Sequence, residues 1–106
     1  MTPGTQRDVE ILNTNGVVNG SDFSPNDIHP GTVVAIFGIN FNSPDIVIVT
    51  QGSNQYIIQS GSAWWFDSPA QINATLPTAL TPGFATVFVQ NTSGFLSSGQ
   101  SITILP

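Results

Sequence analysis

The pattern with the clearest structural meaning lies in residues 30–42. A Pro-Gly turn there leads into Thr32-Val33-Val34-Ala35-Ile36-Phe37 and then Gly38-Ile39-Asn40-Phe41. With a period of two, Val34, Ile36 and the backbone of Gly38 fall on one face, and Val33, Ala35, Phe37 and Ile39 on the other. Apolar residues on both faces predict a central strand, covered by a second sheet on one side and by loops or neighbours on the other. Gly38 within it predicts a bulge or the close crossing of another segment.

The other extended pieces are shorter and punctuated by turn residues. Residues 9–12 alternate around Glu10 and end at Asn13-Thr14-Asn15-Gly16, a turn signal, so residues 1–15 read as an N-terminal strand or arm. Residues 16–20 form a second short piece. Residues 21–30, with two prolines, two aspartates and Asn26, form a loop. Residues 46–50 and 55–59 flank Gln51-Gly52-Ser53-Asn54 as a hairpin. After the aromatic segment Ala63-Trp64-Trp65-Phe66 and an Asp67-Ser68-Pro69 turn, residues 70–76 alternate Ile72, Ala74 and Leu76 with Gln71, Asn73 and Thr75, as a half-buried strand does. Residues 83–90 place Phe84, Thr86, Phe88 and Gln90 opposite Ala85, Val87 and Val89, and residues 100–105 supply the last strand. About seven to nine short strands, with no helical periodicity, predict an all-β, immunoglobulin-like Greek-key sandwich. Its core is expected to include Ile36, Phe37, Ile72, Leu76, Val87 and Val89.

Composition narrows the function. A chain of 106 residues makes one domain, 1–106. Charged residues are only 7%, against ~25% in an average soluble protein. There is no Lys, Arg7 is the single Arg, and the net charge is −5. Nucleic acid and anionic membrane surfaces both require several cationic groups, and this chain has almost none to offer. No apolar run approaches the ~20 residues of a membrane span, and the first ten residues have no signal-peptide pattern. With zero Cys, thiolate chemistry and Cys-ligated metals are excluded. A surface built from Asn, Gln, Ser, Thr and Gly accords with secreted and cell-surface β-proteins. In that setting Met1 would be a start within a longer chain.

Several motifs in order resemble the immunoglobulin-like IPT/TIG domains of extracellular proteins. They are Ile28-His29-Pro30-Gly31-Thr32-Val33-Val34-Ala35-Ile36-Phe37-Gly38-Ile39-Asn40-Phe41, Gln71-Ile72-Asn73 with Leu76-Pro77, Pro82-Gly83 with Ala85-Thr86-Val87, and the Asn91/Gly94 turn. Val17-Val18-Asn19-Gly20-Ser21-Asp22-Phe23 and Ser68-Pro69-Ala70-Gln71-Ile72-Asn73 look most like a variant found in secreted acidobacterial proteins. The resemblance covers residues 16–106. It implies an Ig-like fold and an extracellular or cell-surface, bacterial setting. It also implies a role as spacer, interaction module or appendage of carbohydrate-active enzymes, and no reaction. Where that family has a plain hydrophobic pair before Ser-Pro, this chain has Trp64-Trp65-Phe66.

Candidate chemistry is sparse. His29, between Ile28 and Pro30, lacks a Gly-x-Ser-x-Gly elbow and reads as a turn histidine without a partner. Asp22, Asp27, Asp45 and Asp67 fall in separate turns, where Asp is the ordinary turn residue. Asp22, Asn26 and Asp27 share one loop and form a weak calcium candidate, without the one-three-five spacing of a dedicated calcium loop. The triplets at Asn19, Asn73 and Asn91 match the glycosylation pattern at a frequency expected by chance in so polar a chain.

The aromatic segment is the sharper signal. As a strand, it would point Trp64 and Phe66 one way and Trp65 the other. An exposed indole among amides and hydroxyls suits a sugar surface or a protein contact, whereas burial would make it core. The residues therefore point to a non-catalytic module that needs no cofactor and whose partners are other protein domains or copies of itself. The alternative is a polysaccharide-binding module using Trp64, Trp65 and Tyr56 with Asn54 and Gln55. In this reading Trp65→Ala weakens association or ligand binding more than folding. Residues 9–12 and the 46–58 hairpin are the expected sheet edges.

Overall fold

The computed structural model describes residues 9–12 and 15–106. The arm before Val9, Arg7 within it, and the Asn13-Thr14 half of the predicted turn lie outside the described residues. Within them the chain forms strands β1 (Glu10–Ile11), β2 (Val17–Asn19), β3 (Val33–Ile39), β4 (Ile46–Gln51), β5 (Asn54–Ile58), β6 (Phe66–Ser68), β7 (Gln71–Thr75), β8 (Gly83–Gln90) and β9 (Gln100–Ile104). They pair in two antiparallel sheets, one of five strands in the order β1-β3-β7-β6 with β2 also on β3, the other β5-β4-β8-β9.

β3 is central, as its two apolar faces predict. It pairs with β7 from Val33↔Thr75 to Phe37↔Gln71. Its other side is lined by β2 (Val17↔Ile36) and then β1 (Ile11↔Gly38), so that two short strands share one long edge. The break between them is bridged by the Leu12 N–H donating to the Phe37 carbonyl at 2.8 Å and the Phe37 N–H donating to the Gly16 carbonyl at 2.7 Å. Gly38 marks a close crossing, because a methyl group there would overlap the Glu10 carbonyl and the Phe41 ring.

The core follows the period-two pattern. Val34 and Ile36 of β3, Ile72 and Ala74 of β7, Val47 and Val49 of β4, and Ala85, Val87 and Val89 of β8 are buried between the sheets. Ile28, Phe41, Leu76 and Leu80 close its ends. β1 lies at the edge of the five-stranded sheet, and β5 of the hairpin at the edge of the other, as the sequence predicts; β2 shares the edge with β1, and β6 and β9 form the opposite edges.

Three local readings change. Phe37 is half-buried rather than core, and Ile39 on the same face is exposed, because among the described residues no second sheet covers the outer side of this one. Asp67 and Ser68 are strand residues of β6 rather than a turn. Trp64 and Trp65 precede that strand in a turn, so strand alternation does not govern them.

Candidate functional site

The outer face of the five-stranded sheet can be built from its register. Val18, Ala35, Asn73 and Phe66 are successive cross-strand partners and form one row. Val33 with Thr75, and Phe37 with Gln71, form rows on either side. Ala35 and Val18 are buried beneath their neighbours, whereas Phe66 is 49% exposed. Among the described strand residues the charged side chain on this face is Glu10, opposite Ile39 at the far end of β3. The rows from Phe37 to Thr75 carry none.

Two aromatic residues are set over this face by strained backbone. The Gln59 carbonyl accepts from the Ser62 N–H, and the Ser62 carbonyl accepts from the Trp65 N–H at 3.0 Å, making two successive turns. The third position of each turn has positive φ. In the first it is filled by Gly61 at 87°, and in the second by Trp64 at 61°. A turn with positive φ at its third position normally takes Gly or Asn, and a bulky residue held there costs ~1–3 kcal/mol. Trp64 is nevertheless the most exposed large apolar side chain described, at 78%. The turn is tied down by the Thr75 hydroxyl donating to the Ala63 carbonyl at 2.9 Å. Phe23 repeats the arrangement with φ 59°, its loop held by the Phe23 N–H donating to the Asn19 carbonyl and by Asn19 Nδ2 donating to the Asp27 carbonyl at 2.7 Å. Its ring lies 5.9 Å from that of Phe37 and tilted to it. Between Trp64 and the sheet is a depression of about 390 Å³ lined by Gly20, Ser21, Val33, Trp64 and Asn73. Gln71 Nε2 donates to Asn73 Oδ1 at 3.0 Å and fixes that amide.

The five residues singled out in the sequence do not converge. Trp64 stands over the outer face, but Trp65 packs against the core, as does Tyr56, whose partner on β4 is the buried Val49. Gln55 alternates with Tyr56 and so projects from the outer face of the opposite sheet, and Asn54 sits at the exposed start of β5. Trp65 and Tyr56 are thus drawn into packing, and the two polar partners lie across the sandwich from Trp64. Phe66 belongs to the aromatic segment that the sequence marks for contact, whereas Phe23, Gln71 and Asn73 do not stand out there as contact residues. The outward placement of Gln71 and Asn73 is present in the alternation of β7; that of Phe23 depends on its positive φ, which no local pattern announces.

The other candidates are accounted for by local partners. Asp22 Oδ1 accepts from the Ser24 N–H at 2.9 Å, and Asn26 caps no ligand set but takes its own N–H to the Ser24 hydroxyl. The Asp27 carboxylate meets His29 Nε2 at 2.9 Å, so the loop acids face different partners rather than a common centre. Among the described residues, no three His, Cys, Asp or Glu side chains come together. His29 is not partnerless, since its Nδ1 also lies 2.9 Å from the Pro106 carbonyl. That carbonyl first, and the Asp27 carboxylate second, raise the imidazole pKa above 6.5. A raised histidine pKa stabilises the fold below about pH 6.5, and the contribution disappears as pH rises through the folded value. Melting curves should therefore show His29→Gln slightly less stable than the parent at pH 5.5 and equal to it at pH 9, with salt shrinking the difference because the ring is exposed. Equal loss at both pH values would refute the charge-assisted pairing.

Asp45 and Asp67, expected in separate turns, meet. The Asp45 N–H donates to Asp67 Oδ2 at 3.0 Å, and the Asn42 N–H donates to Asp45 Oδ1 at 3.1 Å. Asp45 is fully buried. Among the described residues Asp45 Oδ2 and Asp67 Oδ1 are buried with no partner beyond the facing carboxyl, as in two carboxyls that share one proton. Burial first, and then the Asp67 carboxyl, push the Asp45 pKa up to about 7.

No protein-family model matches this chain, and no curated protein matches it. Among the described residues no helix is long and apolar enough to cross a membrane.

Proposed function

We propose that this chain is a non-catalytic, IPT/TIG-like immunoglobulin module, extracellular or at the cell surface, that serves as an interaction domain within a larger protein or assembly. Its contact surface is the outer face of the five-stranded sheet. One observation carries the reading: Trp64 occupies a turn position suited to Gly, and the strain there holds its indole in solvent rather than in the core. Folding alone gains nothing from that arrangement, and stored backbone strain of this kind concentrates at binding sites. Exposed aromatics around a common apolar face mark a site for a partner. Two features support the non-catalytic part. Both ring nitrogens of the single histidine are engaged, and of the two paired carboxyls that of Asp45 is fully buried.

Acrylamide quenching tests this reading. In a Trp65→Phe variant, Trp64 reports alone. It should be quenched freely in the isolated module and shielded when the module sits in its full-length parent or assembly. Equal quenching in both settings would show that no other part of the parent or assembly docks on this face. The same surface predicts opposite behaviour for the two indoles in thermal melts. Trp65→Ala should lower the melting temperature by several degrees because it removes core packing. Trp64→Gly should leave it unchanged or slightly higher because it relieves a left-handed residue.

A further inference from the structure

We infer that the depression beneath Trp64 is a subsite for a neutral polysaccharide, with the Trp64 indole as stacking platform and Asn73 as the group that reads a hydroxyl. This rests on the reading of the outer sheet face as the contact surface and names its ligand class.

Three observations favour this occupant. First, the surface is concave where the aromatic stands, and its volume of about 390 Å³ falls within the ~300–1,000 Å³ of small-ligand sites. A flat protein contact needs no such recess. Second, the lining is free of charge: Gly20, Ser21, Val33, Trp64 and Asn73 present one aromatic plane, a hydroxyl and an amide. A ligand complementary to that set has an apolar CH face and uncharged hydroxyls, as a hexopyranose does. An ionic peptide, a phosphate or a uronic acid would leave its charge unpaired. Third, the amide is oriented in advance. Gln71 Nε2 occupies Asn73 Oδ1, and Asn73 Nδ2 has no partner among the described residues, which leaves the N–H groups of a residue lining the depression to donate to a ligand oxygen. Phe66, beside Asn73 in the cross-strand row and 49% exposed, extends the apolar track beyond one sugar unit, which suits a chain rather than a monosaccharide.

The test is affinity electrophoresis in gels containing hydroxyethyl cellulose, soluble starch or galactomannan, with polygalacturonate as the charged control. Binding is quantified by Trp fluorescence in Trp65→Phe, where Trp64 is the sole indole. At least one neutral polymer should retard the protein and change Trp64 emission. Trp64→Gly should weaken binding roughly tenfold or more, as loss of a central aromatic anchor does. Trp64→Phe should retain part of the affinity, and Asn73→Ala should weaken binding several-fold, with melting curves confirming that each variant is folded. Absence of retardation by all three neutral polymers would overturn the inference, as would retardation that survives Trp64→Gly or equal binding of polygalacturonate. Sedimentation velocity distinguishes the two levels of the proposal. Trp64-dependent self-association without polysaccharide binding would reject the sugar ligand and leave the interaction face standing. Acrylamide quenching of Trp64 that is identical in the isolated module and in the parent protein, together with no polysaccharide binding and no self-association, would reject the face itself.

Discussion

Ile36→Ala is expected to lower the unfolding free energy by roughly 2–5 kcal/mol. Ile36 is fully buried in the central strand, paired with Val17 on one side and Ile72 on the other, beneath the valines of the opposing sheet. Truncation removes three carbons from the junction where both sheets pack. The neighbouring backbone is held by ladder hydrogen bonds on both sides, so the cavity cannot close by a shift of the strand. Urea titration gives the readout, as a fall in midpoint at unchanged slope. A loss below half a kcal/mol would remove Ile36 from the core and break the register of β3. Phe37→Ala, one residue along and facing outward, should cost clearly less, since that ring is half-buried and packs against an exposed Phe23.

The second large effect is a fall in stability as pH rises from about 4 to about 7. Asp45 has its folded pKa raised from 3.8 to about 7, so the folded state binds the proton more tightly than the unfolded chain does. The contribution is therefore complete below pH ~4 and is lost as pH rises through ~7. At ~1.4 kcal/mol per pKa unit, the loss amounts to a few kcal/mol. The cause is positional: Asp45 leads into β4 of one sheet, and Asp67 lies in β6 of the other, so the shared proton ties the two layers at one end. Deprotonation places a charge on the fully buried Asp45 beside the half-buried Asp67 carboxyl. Asp45→Asn should flatten the profile and raise stability at pH 8, because its Oδ1 still accepts from the Asn42 N–H while its NH₂ group can donate to Asp67. Urea midpoints at pH 4.5, 6 and 8 check this, and a flat parental profile would dismiss the shared proton. His29 contributes a slope of the same sign, but it is exposed and screened by salt, so repeating the series in 0.5 M salt or in His29→Gln isolates the buried pair.

Strand positions and inward faces were legible in the sequence because alternation is a local property that any half-buried strand must carry. β7 and β8 show it in Ile72, Ala74, Ala85, Val87 and Val89, and the two-faced β3 shows it in its place at the centre of a sheet. Gly38 announced the close passage of β1, since only a residue without a side chain admits the Glu10 carbonyl and the Phe41 ring. The candidate site was legible only as an aromatic segment. Which indole faces water was decided by the turn at residues 62–65, with its positive φ at Trp64 and its tether from Ala63 to Thr75 on a neighbouring strand, rather than by period-two spacing. The meetings of Asp45 with Asp67, 22 residues apart, and of His29 with Pro106, 77 apart, likewise required the sheets to close. Local chemistry records which residues seek the core. The pairing of distant groups depends on how the strands order themselves across two layers, and no short stretch of sequence holds that information.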